Sequence, residues 1–184
     1  MPDFTIAPDP SLWHEVPGAD GEEQFVADRT AGLQGEAKAF ATTMAEMAIA
    51  TRDASDDLTL LLQEPESSLY AVAGFALYTD REPPTSEKEA LELVTEGSVG
   101  PWEPTVVPVE LGSVHGFRVS EFLPAAEDAG SSSDLTHLQF IQTTYVVSAG
   151  GRLGAVALTP ASSPAAGVVL ALVEPVISTW EVSV

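Results

Sequence analysis

The chain has 184 residues, of which 45% are hydrophobic, so it is long enough to form one globular domain with a substantial core. It carries 28 acidic residues against 7 basic ones, which gives a net charge of −21. A field of this sign repels phosphate backbones and anionic lipid headgroups, and it therefore argues against nucleic acid and membrane surfaces as partners.

The chain contains no cysteine, which excludes disulfide bonds, thiolate metal sites and a cysteine nucleophile. Its first residues show no basic segment followed by an apolar one, as a secretory signal would. The longest strongly apolar run, residues 168–173, is too short to cross a bilayer. We therefore expect a soluble cytoplasmic protein, although a leader removed beforehand would leave the same sequence.

Eight segments have the composition of β-strands. Each is rich in β-branched, aromatic or leucine side chains and is bounded by glycine, proline or acidic residues. The first two are expected to pair as an edge hairpin, and Gly74 indicates a bulge in the fourth. The tail, residues 180–184, fits either a frayed turn or a short edge strand. The eight predicted strands are residues 4–6, 24–28, 58–63, 69–78, 106–110, 115–122, 135–148 and 153–159.

Residues 36–54 form the first of three predicted helices. The apolar spacing here changes from that of a strand to that of a helix, and Phe40, Met44, Met47 and Ala48 fall on one stripe. We expect this stripe to pack on one face of the sheet.

The other two predicted helices begin with capping signals. Ser86 and Glu89 match a capping box at the start of the second helix. Ser163 is the expected N-cap of the third helix. An interior proline removes a hydrogen bond and clashes with the preceding turn, so Pro175 predicts a kink or break of this helix after Glu174.

The chain is organised around residues 135–159, a predicted hairpin that turns at Gly150 and Gly151. Neither alternate set of side chains in its first strand is fully polar: Tyr145 lies in one set and Val146 in the other. A strand with apolar residues on both faces needs cover on both faces. The sequence therefore predicts an α+β fold, a mainly antiparallel sheet covered by helices on both faces in an αβα sandwich.

One stretch has the composition of a linker. Residues 124–134, with the sequence PAAEDAGSSSD, lack apolar periodicity and are rich in serine and acidic residues. We expect a mobile surface loop that joins two adjacent strands, and not a domain boundary. Residues 1–184 are therefore predicted to form a single domain.

Common catalytic motifs are absent from the sequence, which has no phosphate-binding loop, zinc-protease helix or nucleophile elbow. Of its three histidines, His115 and His137 begin strands that we expect to pair, so they form a candidate polar site. Ser113 and Glu121 would complete a serine–histidine–carboxylate set with His115. Satisfied or exposed histidines are the favoured interpretation, and no catalytic residue is assigned.

The acidic residues Asp53, Asp56 and Asp57 follow the first helix. They could bind a hard cation, but they lack the alternating ligands and the glycine of an EF-hand loop. A solvated run of charge is favoured, and neither a metal nor a cofactor is expected.

The three tryptophans, Trp13, Trp102 and Trp180, are candidates for the rim of a ligand cleft. Each lies near a proline or near the end of the chain, where tryptophan commonly covers the margin of a core. The core position is favoured over the cleft.

Several short segments give the chain a family resemblance. An apolar strand at residues 4–6, Trp13, residues 16–17 (Val-Pro), residues 159–160 (Thr-Pro) and a closing helix that ends at Trp180 resemble the PsbP-like domains. That fold is shared by a nuclear-import factor that binds the GTPase Ran and by short bacterial proteins of unassigned role. The resemblance implies an αβα sandwich that serves as an adaptor, assembly factor or ligand binder without catalysis. No residue of known function in the family is carried over.

Three hypotheses follow. The first is a non-catalytic interaction or adaptor domain that meets a protein partner, expected to be basic, through its acidic surface or through residues 124–134. The second is a carrier or sensor of a small apolar ligand held between a helix and the sheet and gated by Trp102 or Trp180. The third, least favoured, is a hydrolase that uses His115 or His137. An exposed strand edge would also allow a homodimer.

Overall fold

A computed structural model describes residues 4–95, 102–123 and 139–183. These residues contain four α-helices and ten strands, with a short 3₁₀ turn at Ala19–Gly21. The helices are α1 (Glu22–Thr30), α2 (Gly35–Thr51), α3 (Glu87–Thr95) and α4 (Ser163–Ile177). The strands are β1 (Phe4–Thr5), β2 (Trp13–Glu15), β3 (Leu58–Glu64), β4 (Leu69–Tyr78), β5 (Thr105–Leu111), β6 (Val114–Leu123), β7 (Phe140–Ala149), β8 (Arg152–Leu158), β9 (Ala161–Ser162) and β10 (Glu181–Val182).

Eight of the strands form one sheet in the order β2-β3-β4-β8-β7-β6-β5, with β9 paired to β7. All pairs between described strands are antiparallel. The remaining strands, β1 and β10, pair with each other and bring the two ends of the described chain together. The predicted antiparallel sheet is confirmed.

Helices cover both faces of this sheet, as predicted. On one face, which we call the α4 face, Val173 and Ile177 of α4 pack with Phe75 and Tyr145 in the largest core cluster. On the opposite face, α2 packs on β3 and β4, while α3 packs on β5, β6 and β7. The first helix, α1, packs on α2.

The central hairpin is confirmed. Ala149 pairs with Arg152, and the two residues between them, Gly150 and Gly151, have φ angles of 57° and 80°. Two consecutive positive φ angles define the tight turn whose twist matches that of the strands, and glycine adopts them without strain.

The predicted strand at residues 24–28 is wrong, because these residues lie in α1, and β1 pairs with β10 instead. Only Phe25 is buried among the residues of this helix. Glu22 and Glu23 in the first turn and Arg29 in the last turn complement the helix dipole. A short apolar run does not distinguish a helix from a strand, and the charges at both ends favour the helix.

The predicted core stripe of α2 is right at Ala48 and wrong at Met47, while Phe40 and Met44 are only partly buried. Its buried residues are Ala41, Ala45 and Ala48, whereas Met47 is 44% exposed. Ala45 and Ala48 pack on Leu61 and Val72. The helix therefore contacts the sheet mainly through alanines, whose small side chains allow a close approach, and Ile49 packs beside them.

The third predicted helix, α4, is not broken at Pro175 but continues to Ile177. Its proline lies in the last turn, which is closed beyond it by a hydrogen bond from Ser178 N–H to the Glu174 carbonyl. The N-cap is Ser162 and not Ser163, and the Ser162 side chain makes no capping hydrogen bond.

Two predictions lie outside the described residues: the loop at 124–134 and the beginning of the strand at 135–138. Among the described residues, no helix has the length and apolar character needed to span a membrane. The cytoplasmic location stays a prediction.

Candidate functional site

A groove of about 460 Å³ lies between α2 and α3 on the face of the sheet opposite α4. We call it the α2–α3 groove. Its floor contains four small residues from the neighbouring central strands β4 and β8, namely Gly74, Ala76, Ala155 and Ala157. Gly74 pairs directly with Ala157, and Ala76 pairs with Ala155. Because both pairs point to the same face, they leave a depression in the middle of the sheet.

Ala157 shows that the depression is open. Although β8 is a central strand, Ala157 is exposed to solvent, whereas its neighbours Val156 and Leu158 are buried on the opposite face. The two helices of this face pack on either side of the depression, α2 over β3 and β4 and α3 over β5, β6 and β7.

Polar groups line the groove on the side of α2 and along β7. The segment after α2 contributes Asp53, Ser55 and Asp56, and the strand β7 contributes Gln142 and Thr144. The Gln142 amide donates a hydrogen bond to the Leu158 carbonyl, so this side chain is fixed across the end of the groove.

Apolar and aromatic residues line the remaining wall. Leu93 and Val94 from α3 face the groove, together with Leu153 on β8. Tyr78 and Arg81 line the groove where β4 ends, and the Arg81 guanidinium lies 5.4 Å from the centre of the Tyr78 ring. The groove thus joins an apolar wall to a wall that carries carboxylates.

Asp56 is in direct contact with the floor at Gly74. A Cβ atom added to Gly74 would lie 2.2 Å from Asp56 Oδ2, so glycine is needed there to admit the carboxylate. Gly74 keeps regular pairing with Thr59 and Ala157, and the predicted bulge at this position is wrong. Glycine at this position instead leaves room for the Asp56 side chain.

Burial raises the pKa of the Asp56 carboxyl group, and the negative charges of Asp53 and Asp57 raise it further. Hydrogen bonds with the Thr59 hydroxyl, at 3.3 Å, and with the Asp53 backbone oppose this shift. Within the described part of the chain, no lysine or arginine forms an ion pair with Asp56. Among the described residues, the Asp56 carboxyl group is therefore stabilised by hydrogen bonds and not by an ion pair.

The other two acids of this segment have different roles. Asp53 Oδ1 accepts hydrogen bonds from the Ser55 backbone and hydroxyl, both at 2.8 Å, which lower the Asp53 pKa. Asp57 Oδ2 accepts from Leu77 N–H at 2.8 Å and so anchors the segment to β4. No group of three or more ligating side chains suited to a metal ion occurs among residues 4–95, 102–123 and 139–183.

The three tryptophans do not meet at one cleft. Trp180 is 1% exposed and packs edge-on against Phe75 beneath α4. Trp13 is 3% exposed, lies in the same core, and lines a separate cleft of about 430 Å³ between the N-terminal segment and α4. Trp102 is 46% exposed and contacts Phe122. None of them lines the α2–α3 groove.

The structure separates His115 from Glu121, the carboxylate predicted to join it. Glu121 lies six residues further along β6, which corresponds to about 20 Å. The sheet register instead pairs His115 with Ser148 on one side and with Glu110 on the other. These three residues line a hollow of about 540 Å³. Within the described residues no hydrogen bond joins their side chains, and His115 and Glu110 are exposed. His137 lies outside the described residues.

His14 lies on β2 and is partly buried. Burial lowers the pKa of this imidazole, and the positive charge of Arg29 lowers it further. This histidine belongs to neither the groove nor the hollow at His115.

A polar cluster on the α4 face was not expected from the sequence. Glu174 Oε1 accepts hydrogen bonds from Arg118 at 2.8 Å and from the hydroxyl of the fully buried Tyr145 at 3.0 Å. Burial, followed by the charge of Glu174, raises the Tyr145 pKa well above its usual value. The cluster fastens α4 to β6 and β7.

No protein-family model and no curated protein matches the chain. The resemblance to PsbP-like domains therefore stays a prediction. The α2–α3 groove is selected as the candidate site on its geometry and electrostatics: it is a concave surface on central strands, with an apolar floor, a few convergent polar groups and a carboxyl group whose pKa is raised.

Proposed function

We propose that the protein is a non-catalytic binding domain that carries or senses a small ligand in the α2–α3 groove. The observation that supports it is the floor of small residues on the central strands β4 and β8, which is exposed at Ala157 and partly exposed at Ala155. A volume of about 460 Å³ lies within the range of small-molecule sites. Neither Trp102 nor Trp180 gates this ligand, because neither lines the groove.

The proposal can be tested by filling the groove. Ala157→Leu adds a branched side chain to the exposed centre of the floor and should weaken binding of N-phenyl-1-naphthylamine, an uncharged dye that fluoresces in apolar sites. Ala171 is an exposed alanine on α4, on the other face of the sheet. Ala171→Leu therefore makes the same chemical change outside the groove and serves as the control.

We expect wild type and Ala171→Leu to enhance the fluorescence of the dye equally, and Ala157→Leu to weaken its apparent affinity by about tenfold, as the loss of part of an apolar contact would. Equal binding by all three proteins would show that the dye does not use the groove. Absence of binding by the wild type would contradict a site for small apolar ligands.

The acidic surface favours a second role, as an adaptor for a basic protein. Its support is the excess of 28 acidic over 7 basic residues. Electrostatic association of this kind weakens as salt screens the charges. A basic partner that uses the general surface should bind Ala157→Leu as well as wild type and should be released by salt, whereas a partner that inserts into the groove should be lost with Ala157→Leu.

A further inference from the structure

We infer that the ligand of the α2–α3 groove is a cationic amphiphile, with an ammonium group against Asp56 and Asp53 and an apolar chain along the floor. This inference rests on the proposed binding function of the groove. It goes further in assigning the charge of the ligand and the residues that recognise it.

The first support is the sign of the charge next to the floor. The Asp56 carboxyl group touches Gly74 on the floor and is half-buried, and the charges that raise its pKa, those of Asp53 and Asp57, are negative. Its hydrogen bond from Thr59 is long, at 3.3 Å. A half-buried carboxylate next to two others is stabilised by an external cation, and an ammonium group supplies both the charge and hydrogen-bond donors.

The second support is the position of the positive charge. Arg81 lines the same groove, but it is exposed and its guanidinium lies over the ring of Tyr78. Solvent screens an exposed charge more than a half-buried one. The groove therefore favours cations near Asp56 more than it favours anions near Arg81.

The third support is the arrangement of apolar surface relative to the acids. From Gly74 to Tyr78 the floor extends over four residues of strand, or about 13 Å. The accessible apolar surface of this floor is contributed by Ala155 and Ala157, with the buried Ala76 beside them, and Leu93 forms part of the far wall. A ligand with its ammonium group at Asp56 would place a linear apolar chain on this surface. The net charge of −21 also raises the local concentration of cations.

The experiment measures displacement of bound N-phenyl-1-naphthylamine by three ten-carbon ligands below their micelle-forming concentrations: decylammonium, decanol and decanoate. We expect decylammonium to displace the dye at a concentration about tenfold lower than decanol, as one charge-assisted hydrogen bond would produce. Decanoate should be the weakest competitor. If the dye binds in the groove but decanol competes as well as decylammonium, the inference is wrong while the proposed function stands.

Matched variants separate recognition by Asp56 from attraction to the acidic surface. Asp56→Asn removes the carboxylate on the floor, and Asp20→Asn removes one exposed carboxylate from the 3₁₀ turn. Asp56→Asn should abolish the preference for decylammonium over decanol, and Asp20→Asn should preserve it. An equal loss in the two variants would show that only the overall charge attracts the ligand and would overturn the inference.

Discussion

Removing the Tyr145 hydroxyl tests how α4 is held on the sheet. The side chain is fully buried, and its hydroxyl donates to Glu174 Oε1, which also accepts from Arg118. Tyr145→Phe keeps the ring and its packing but leaves the carboxylate of Glu174 with one donor fewer. The substitution therefore isolates one hydrogen bond to a charged acceptor.

The expected loss of stability follows from the negative charge of the acceptor, Glu174. Hydrogen bonds to charged groups contribute about 1.5–3 kcal/mol, and because Arg118 still pairs with Glu174 we expect a value of about 2 kcal/mol. For a chain of 184 residues this corresponds to a decrease in Tm of roughly 4–8 °C.

The pH dependence gives an independent readout. The Tyr145 pKa is raised in the folded state from its usual value of 10.0, so the folded protein retains this proton more tightly than the unfolded chain. The stabilisation is fully present below the unfolded pKa and is lost as the pH rises through the folded pKa. The difference in stability between wild type and Tyr145→Phe should therefore shrink above about pH 10.

Chemical denaturation with urea, monitored by circular dichroism near neutral pH and at alkaline pH, measures both effects. Tyr78→Phe is the matched control, because Tyr78 is only partly buried and its hydroxyl makes no hydrogen bond within the described residues. We expect the control to change stability by less than about 0.5 kcal/mol. A Tyr145→Phe protein as stable as this control would refute the assigned hydrogen bond, and a difference unchanged at alkaline pH would refute the titration argument.

Three further predictions concern other parts of the fold. Gly116→Ala should lower the Tm measured in a thermal melt by more than about 10 °C. The added Cβ would lie 2.4 Å from the Val146 carbonyl oxygen, and the backbone φ of 156° also disfavours alanine. The control Gly167→Ala has open space at its Cβ and should be neutral or stabilising. Asp56→Asn should raise Tm relative to wild type, and the gain should be larger near neutral pH than near pH 4. Because the Asp56 pKa is raised in the folded state, the wild type loses stability as the pH rises through that pKa, and asparagine does not ionise. A larger gain at low pH would contradict this reasoning. Ser148→Ala and His115→Ala should leave hydrolysis of p-nitrophenyl acetate at the wild-type rate, and a rate decrease of about tenfold or more in both would reveal a catalytic pair.

The central part of the fold could be predicted from residues that carry strong local signals. Consecutive glycines at 150–151 indicate the turn, and apolar side chains such as Tyr145 and Val146 on both alternate sets indicate a sheet with two covered faces. The nine residues of α1 carry no such signal. Only Phe25 is buried, so its apolar run matches a short strand as well as a helix.

The candidate site could not be predicted in the same way, because it depends on which strands are neighbours. Gly74 and Ala157 are 83 positions apart, and only the β4–β8 register places them side by side. The sequence does contain a weaker signal, the small residues at alternate positions 74 and 76 and again at 155 and 157. Without the strand order, that signal does not distinguish a groove from the close approach of a helix, as at Ala45 on α2.

Two features of the groove are unfavourable for the stability of the fold. Alanine and glycine are poor strand formers, yet they occupy facing positions on the two central strands, and the Asp56 carboxyl group is held half-buried against one of them. Unfavourable features of this kind are expected to concentrate at functional sites. If the floor is kept small for a ligand, Ala157→Val should stabilise the fold by up to about 1 kcal/mol, since valine is the better strand former and this position is exposed. The same variant should bind N-phenyl-1-naphthylamine more weakly, and a loss of stability without a loss of binding would show that the alanine serves packing instead of a ligand.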